Sequence, residues 1–115
     1  MSQWEIVVRV RPRKEGLGPD VIRVKDDTKI VLTESDEKCT EYDFSRVYDD
    51  AVDQITVFEE NVLHLIEAAI KGTNVSIFAY GPTGTGKTFT MLGTNDQPGV
   101  IPRLVLRLLI FCKFN

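Results

Sequence analysis

Gly81-Pro82-Thr83-Gly84-Thr85-Gly86-Lys87-Thr88 fills every fixed position of the pattern G-x-x-x-x-G-K-[ST] and directly follows an apolar run. Each part of the pattern has a separate physical task. Glycines let the backbone curl close to a pyrophosphate, main-chain N–H groups point inward, lysine adds positive charge, and the Thr88 hydroxyl suits magnesium. The bland alternative, a glycine-rich turn without a ligand, would not require the strand before it and the helix after it that the flanking residues predict.

Upstream, Asn74-Val75-Ser76-Ile77-Phe78-Ala79-Tyr80 is short, β-branched, aromatic and nearly continuous in apolarity, which predicts a central parallel strand covered on both faces. Downstream, Lys87-Thr88-Phe89-Thr90-Met91-Leu92 opens a helix whose N-terminal end faces the phosphates. Gly93 and the polar run Thr94-Asn95-Asp96-Gln97-Pro98-Gly99 end it.

Farther out, from Asp53 the period becomes helical. Phe58, Val62, Leu65, Ile66 and Ala69 form an apolar stripe opposite Glu60, His64, Glu67 and Lys71, in a helix capped before Gln54 and ended at Gly72. His64, between Glu60 and Glu67, reads as an exposed surface histidine rather than a catalytic base. Pro102 suits the first turn of a last helix, in which Leu104, Val105, Leu106, Leu108, Leu109, Ile110 and Phe111 cover most of the circumference. Such a helix needs cover from several sides, and the chain brings nothing more to provide it.

Near the start, Ile6-Val7-Val8-Arg9-Val10-Arg11 predicts a strand that stops at Pro12, with Arg9 and Arg11 on one face. That Arg-x-Arg-Pro corner is a candidate ligand contact. Val21 to Lys25 and Lys29 to Leu32 flank Asp26-Asp27 as a hairpin, and Tyr42-Asp43-Phe44 continues in extended form before the Asp49-Asp50 loop.

The 115 residues suffice for one modest domain and not two, and 43% hydrophobic with 27% charged residues argues against disorder. A net charge of −3 leaves no electrostatic footprint for nucleic acid. Acidic residues crowd one region: Glu34, Asp36, Glu37, Glu41, Asp43, Asp49, Asp50, Asp53, Glu59 and Glu60. They lack EF-hand spacing and read as a solvated surface. Cys39 and Cys112 are expected to be reduced thiols of an intracellular protein. Met1-Ser2-Gln3-Trp4-Glu5 does not read as a secretory signal, and Leu104 to Phe111, interrupted by Arg107, falls short of the roughly 20 residues that span a bilayer.

Taken in order, several runs resemble the kinesin motor domain. They are Val8-Arg9-Val10-Arg11-Pro12, Phe44-Ser45-Arg46-Val47-Tyr48, and Gly72-Thr73-Asn74 leading into Ile77-Phe78-Ala79-Tyr80-Gly81. Thr83 through Met91, Gly93 and Gly99-Val100-Ile101-Pro102-Arg103 continue the likeness, which covers nearly everything from Ile6 to Arg103. The phosphate loop alone says NTPase; the flanking runs narrow it to this family.

The resemblance implies an α/β, P-loop NTPase-type mixed sheet with helices on both faces, here a truncated motor fold: residues 1–115 as the N-terminal part, roughly the first third, with no second domain. It implies ATP and Mg2+ as cofactors and ATP hydrolysis coupled to movement along microtubules. Arg9 and Pro12 would border the adenine and Phe89 would stack on it. The stretch Gly81, Pro82, Thr83, Gly84, Thr85, Gly86, Lys87 and Thr88 would hold the phosphates, with Lys87 as the catalytic cation and Thr88 as the magnesium ligand.

Two departures qualify that expectation. The family usually carries glutamine where this chain has Pro82, which removes an N–H, but the cradle relies mainly on later amides. The family's two switch motifs, Asn-x-x-Ser-Ser-Arg and Asp-x-x-Gly-Ser-Glu in type, are absent from the 115 residues, as are the elements that contact tubulin. The expectation is therefore a protein of the cytoplasm and microtubule cytoskeleton whose 115 residues alone do not turn over ATP, with no nucleic acid or membrane partner. The alternatives are a truncated nucleotide-binding or regulatory fragment, or another small P-loop NTPase such as a kinase.

Overall fold

The computed structural model describes residues 4–13, 16, 21–35 and 37–114. Residues 1–3 of the start tested for a leader, Asp36 of the acidic group and Asn115 lie outside them. Strands and helices segregate along the chain into two compact units, Met1–Val52 and Asp53–Asn115, in an α/β protein.

The first unit holds β1 (Val7–Arg9), β2 (Ile22–Asp26), β3 (Lys29–Thr33), β4 (Cys39–Asp43) and β5 (Arg46–Tyr48). The expected hairpin is present, since β2 and β3 pair antiparallel with Ile22 opposite Leu32. Its turn is closed by Asp26, whose carboxylate accepts from the Thr28 N–H at 2.9 Å and the Thr28 hydroxyl at 3.2 Å. That turn holds the Asp26 carboxyl below its ordinary value, chiefly through the Thr28 N–H.

The extended run at Tyr42 proves to be a third strand, β4, antiparallel to β3. Neighbouring residues Ile30 and Val31 on central β3 are both buried, and because successive side chains point to opposite faces, β3 is covered on both. The register is irregular between Val24 and Asp26, and Lys25 between them ion-pairs with Glu41 of β4. The pair holds the Lys25 pKa up and the Glu41 pKa down through their shared hydrogen bond first and mutual charge second.

A second, two-stranded ladder pairs β1 parallel to β5, with Val8 opposite Val47. Ile6 N–H donates to the Ser45 hydroxyl and Ser45 N–H to the Ile6 carbonyl, both at 3.0 Å, and Val10 N–H reaches the Tyr48 carbonyl at 3.0 Å. Bonds from Phe44 N–H to the Thr28 carbonyl and from Val47 N–H to the Asp27 carbonyl, at 2.8 and 2.6 Å, join this ladder to the hairpin turn. Val47 and Tyr48 are buried, and the Arg46 guanidinium lies over the Tyr48 ring at 4.7 Å.

The second unit holds α1 (Gln54–Asn61), α2 (Leu63–Ile70), α3 (Lys87–Met91) and α4 (Val100–Phe114). The single helix expected from Asp53 to Gly72 is two helices divided at Val62. At that break the Asn61 side-chain amide donates to the Val57 carbonyl at 2.9 Å, a side-chain donor competing at a helical carbonyl. Both predicted ends hold: Asp53 accepts from Thr56 N–H at 2.9 Å, and Gly72 and Thr73 N–H groups close on the Ala69 and Ala68 carbonyls, each at 3.0 Å.

Phe58, Val62 and Ile66, one helical turn apart, bury together with Val100, and Leu63, Ile77, Met91 and Leu104 pack against them. Ala69, expected on that stripe, is exposed in the last turn of α2. His64 is exposed, as are the described acidic residues of the crowded region. Both cysteines are exposed free thiols.

One expectation is overturned. Residues 74–80 form no strand, and none of the described residues pairs with them; Phe78 is 78% exposed and Tyr80 entirely so. A parallel strand apolar on both faces is stable only with neighbours along its edges and layers above and below, and the described residues pair none with this stretch. The last helix is apolar around most of its circumference, and Val105, Leu106, Leu109 and Ile110 are each at least 46% exposed. Among the described residues, no helix is long and apolar enough to cross a membrane.

Candidate nucleotide-binding site

The loop Gly81 to Gly86 enters α3 through Gly86, which occupies the cap position in the left-handed region at φ 99°. A side chain there would be strained, so glycine is what lets the chain turn directly from loop to helix. Within the loop the Pro82 carbonyl accepts from the Thr85 N–H at 3.3 Å and the Thr85 hydroxyl at 2.6 Å. Pro82 thus contributes its carbonyl to the turn, and the N–H it lacks is not one this turn uses.

Lys87 and Thr88 are the first two residues of α3, where backbone N–H groups have no acceptor within the helix. Lys87 is half-buried and Thr88 exposed; Gly81 and Gly86 are half-buried, and Pro82, Thr83, Gly84 and Thr85 exposed. Phe89 is 36% exposed. A run of main-chain donors, one ammonium and one hydroxyl fits the oxygens of a phosphate chain and a single inner position on magnesium. No metal-type grouping of His, Cys, Asp or Glu occurs among the described residues.

The remaining predicted contacts, Arg9 and Pro12, sit in the other unit. Arg9 closes β1 and is half-buried, and Pro12 is exposed beyond it. The structure therefore brings the eight loop residues and Phe89 together within the second unit and holds the Arg-x-Arg-Pro corner in the first.

Beyond α3 the chain makes a tight return. Leu92 and Gly93 N–H groups close on the Thr88 carbonyl at 2.8 and 3.1 Å, Thr94 N–H reaches the Gln97 carbonyl at 3.0 Å, and Gly99 N–H the Leu92 carbonyl at 3.0 Å. Gln97 N–H returns to the Thr94 hydroxyl at 3.0 Å, and Arg103 Nε to the Pro98 carbonyl at 2.9 Å.

Sequence reading missed Gln54, the one buried polar residue among those described, at 6% exposure. Its side-chain amide donates to the Phe89 carbonyl at 2.7 Å and the Gln97 carbonyl at 3.2 Å. No local signal marks it, because its partners lie far along the chain.

The model of the kinesin motor domain matches residues 7–113. Kinesin-like protein KIF22 of Xenopus tropicalis is 44% identical over 114 residues, which cover 94% of this chain and 18% of that protein. Kinesin-like protein KIN-14B of Arabidopsis thaliana is 39% identical over 86% of this chain and 8% of its own length. Centromere-associated protein E of Homo sapiens is 39% identical over 87% of this chain and 4% of its own. The chain thus spans less than a fifth of the length of these relatives, and the family match runs from β1 into α4. On that match the chain belongs to the kinesin motor domain family.

Proposed function

We propose that this chain is the ATP-binding portion of a microtubule-based motor ATPase. The observation that carries the reading is the loop Gly81 to Gly86 delivering Lys87 and Thr88 into the first turn of α3. In this reading both units belong to one motor domain, the N-terminal part of a P-loop mixed sheet flanked by helices. Support comes from the family match, which runs continuously across both units.

ATP with Mg2+ supplies the phosphoanhydride that is broken. The chain's own residues bind and orient it. Main-chain amides from Gly84 to Thr88 hold the phosphate oxygens, Lys87 neutralises charge on the β- and γ-phosphates, and Thr88 offers its hydroxyl to the metal. Phe89 offers a flat apolar face to the base. Phosphoryl transfer also needs a group that positions the attacking water and an acidic anchor for magnesium, and no switch motif supplying them occurs in the 115 residues. Tubulin is the partner and the microtubule cytoskeleton the place of action in this reading.

Calorimetric titration with Mg-ATP tests it. Uptake by the wild type and loss of at least about a hundredfold in affinity on Lys87→Ala, the equivalent of removing a charged hydrogen-bonding partner, is the expected result. A wild-type protein that takes up no magnesium nucleotide ends the proposal.

A further inference from the structure

We propose that Gln54 is a positioning residue for the phosphate loop, a clamp that sets the orientation of α3; the inference rests on the nucleotide-binding reading above. Gln54 opens α1 directly after the Asp53 cap and is buried. Its one primary amide nitrogen bonds two carbonyls that belong to different elements. Phe89, two residues after Lys87, lies in the short helix α3, and Gln97 closes the return turn that begins at Thr94.

The physical case is one of rigidity. A helix of five residues does not hold its own conformation in water, because nucleation is costly and few hydrogen bonds repay it. Its direction must therefore be fixed from outside. Gln54 supplies such an outside hold by donating to the Phe89 carbonyl in α3 at 2.7 Å. The same amide fixes the turn at Gln97, so α1, α3 and the return are joined at one buried point. Lys87 and Thr88 ride on α3, and their aim is set by where this clamp places it.

Gln54→Met keeps the side chain's length and removes the donor. Gln54→Glu puts oxygen against two carbonyl oxygens. Mg-ATP titration of the full-length protein, with amide hydrogen exchange of the free protein, reads both consequences. The expected result for Gln54→Met is about tenfold weaker uptake, with Gln54→Glu weaker still. Exchange protection falls over Phe89 to Gly99 and persists from Thr56 to Ile70. Inorganic tripolyphosphate, which has no base to stack on Phe89, weakens by the same factor, because the clamp acts through Lys87 and Thr88.

A loss of less than about fivefold overturns the proposal. So does protection lost equally through α1 and α2, which would make Gln54 a residue of general stability. If the wild type takes up neither Mg-ATP nor tripolyphosphate, the nucleotide reading falls, and the exchange pattern alone then decides whether Gln54 anchors α3.

Discussion

Gly93 has no room for a side chain. It holds φ at +71°, and a Cβ built there would run into the Gln97 carbonyl oxygen and lie 2.5 Å from the Gly99 nitrogen, all backbone that cannot swing aside. Gly93→Ala is expected to destabilise the protein by about 2 kcal/mol or more, read as a lower urea midpoint at unchanged slope. Pro82 behaves in the opposite way. Its contribution is a carbonyl to Thr85, which glutamine supplies equally well, so Pro82→Gln should change Mg-ATP affinity by less than about a hundredfold in a titration. The turn from Gly81 through Gly86 into α3 was legible in the sequence because its signals are local, each glycine and the lysine occupying a fixed offset. Gln54 was not, because its two acceptors lie 35 and 43 residues away and a buried glutamine looks like any other glutamine in a string of letters.

Among the elements, α1 carries its own pH dependence. The Thr56 hydroxyl first, and its N–H second, hold the Asp53 carboxyl below its ordinary value. A depressed folded value means that the cap contributes fully above the unfolded value and is lost as pH falls through the folded one. Asparagine caps without titrating. The stability difference between wild type and Asp53→Asn should therefore stay constant from neutral pH down to the ordinary carboxylate range and shift against the wild type below it, in thermal unfolding monitored by circular dichroism. Both ends of the α1 and α2 stretch could be read from Asp53 and Gly72, since capping is written in neighbouring residues. The break at Val62 could not, for the apolar spacing of Phe58, Val62 and Ile66 continues straight through it. The stretch from Asn74 to Tyr80 shows the same limit from the other side. Its apolarity records a demand for neighbouring strands, and a strand exists only where that demand is met.

Across the chain as a whole, the 115 residues carry the pattern G-x-x-x-x-G-K-[ST] but neither switch motif. Phosphate release from ATP by a polypeptide of these 115 residues alone is expected to stay at the buffer rate, with or without microtubules; a microtubule-stimulated rate abolished by Lys87→Ala would refute this. They also carry a helix with unmet apolar surface, as the sequence pattern of α4 forecast. Leu106 is 59% and Leu109 62% exposed, and together with Val105 and Ile110 they favour association at rising concentration. Leu106→Lys with Leu109→Lys should lower that association in sedimentation velocity while leaving the thermal midpoint within a few degrees. The α/β class was legible because strand alternation and helical period both stand in the sequence. The parallel partnership of β1 with β5 was not, since both are three residues long and nothing local announces which strand meets which.

That partnership also sets a timetable. Val7 is joined to Arg46 and Arg9 to Tyr48, so β1 cannot find its mate until β5, made after it, has left the ribosome. The three antiparallel strands between them, linked by short turns, can assemble in the interval, while β1 waits unpaired for β5.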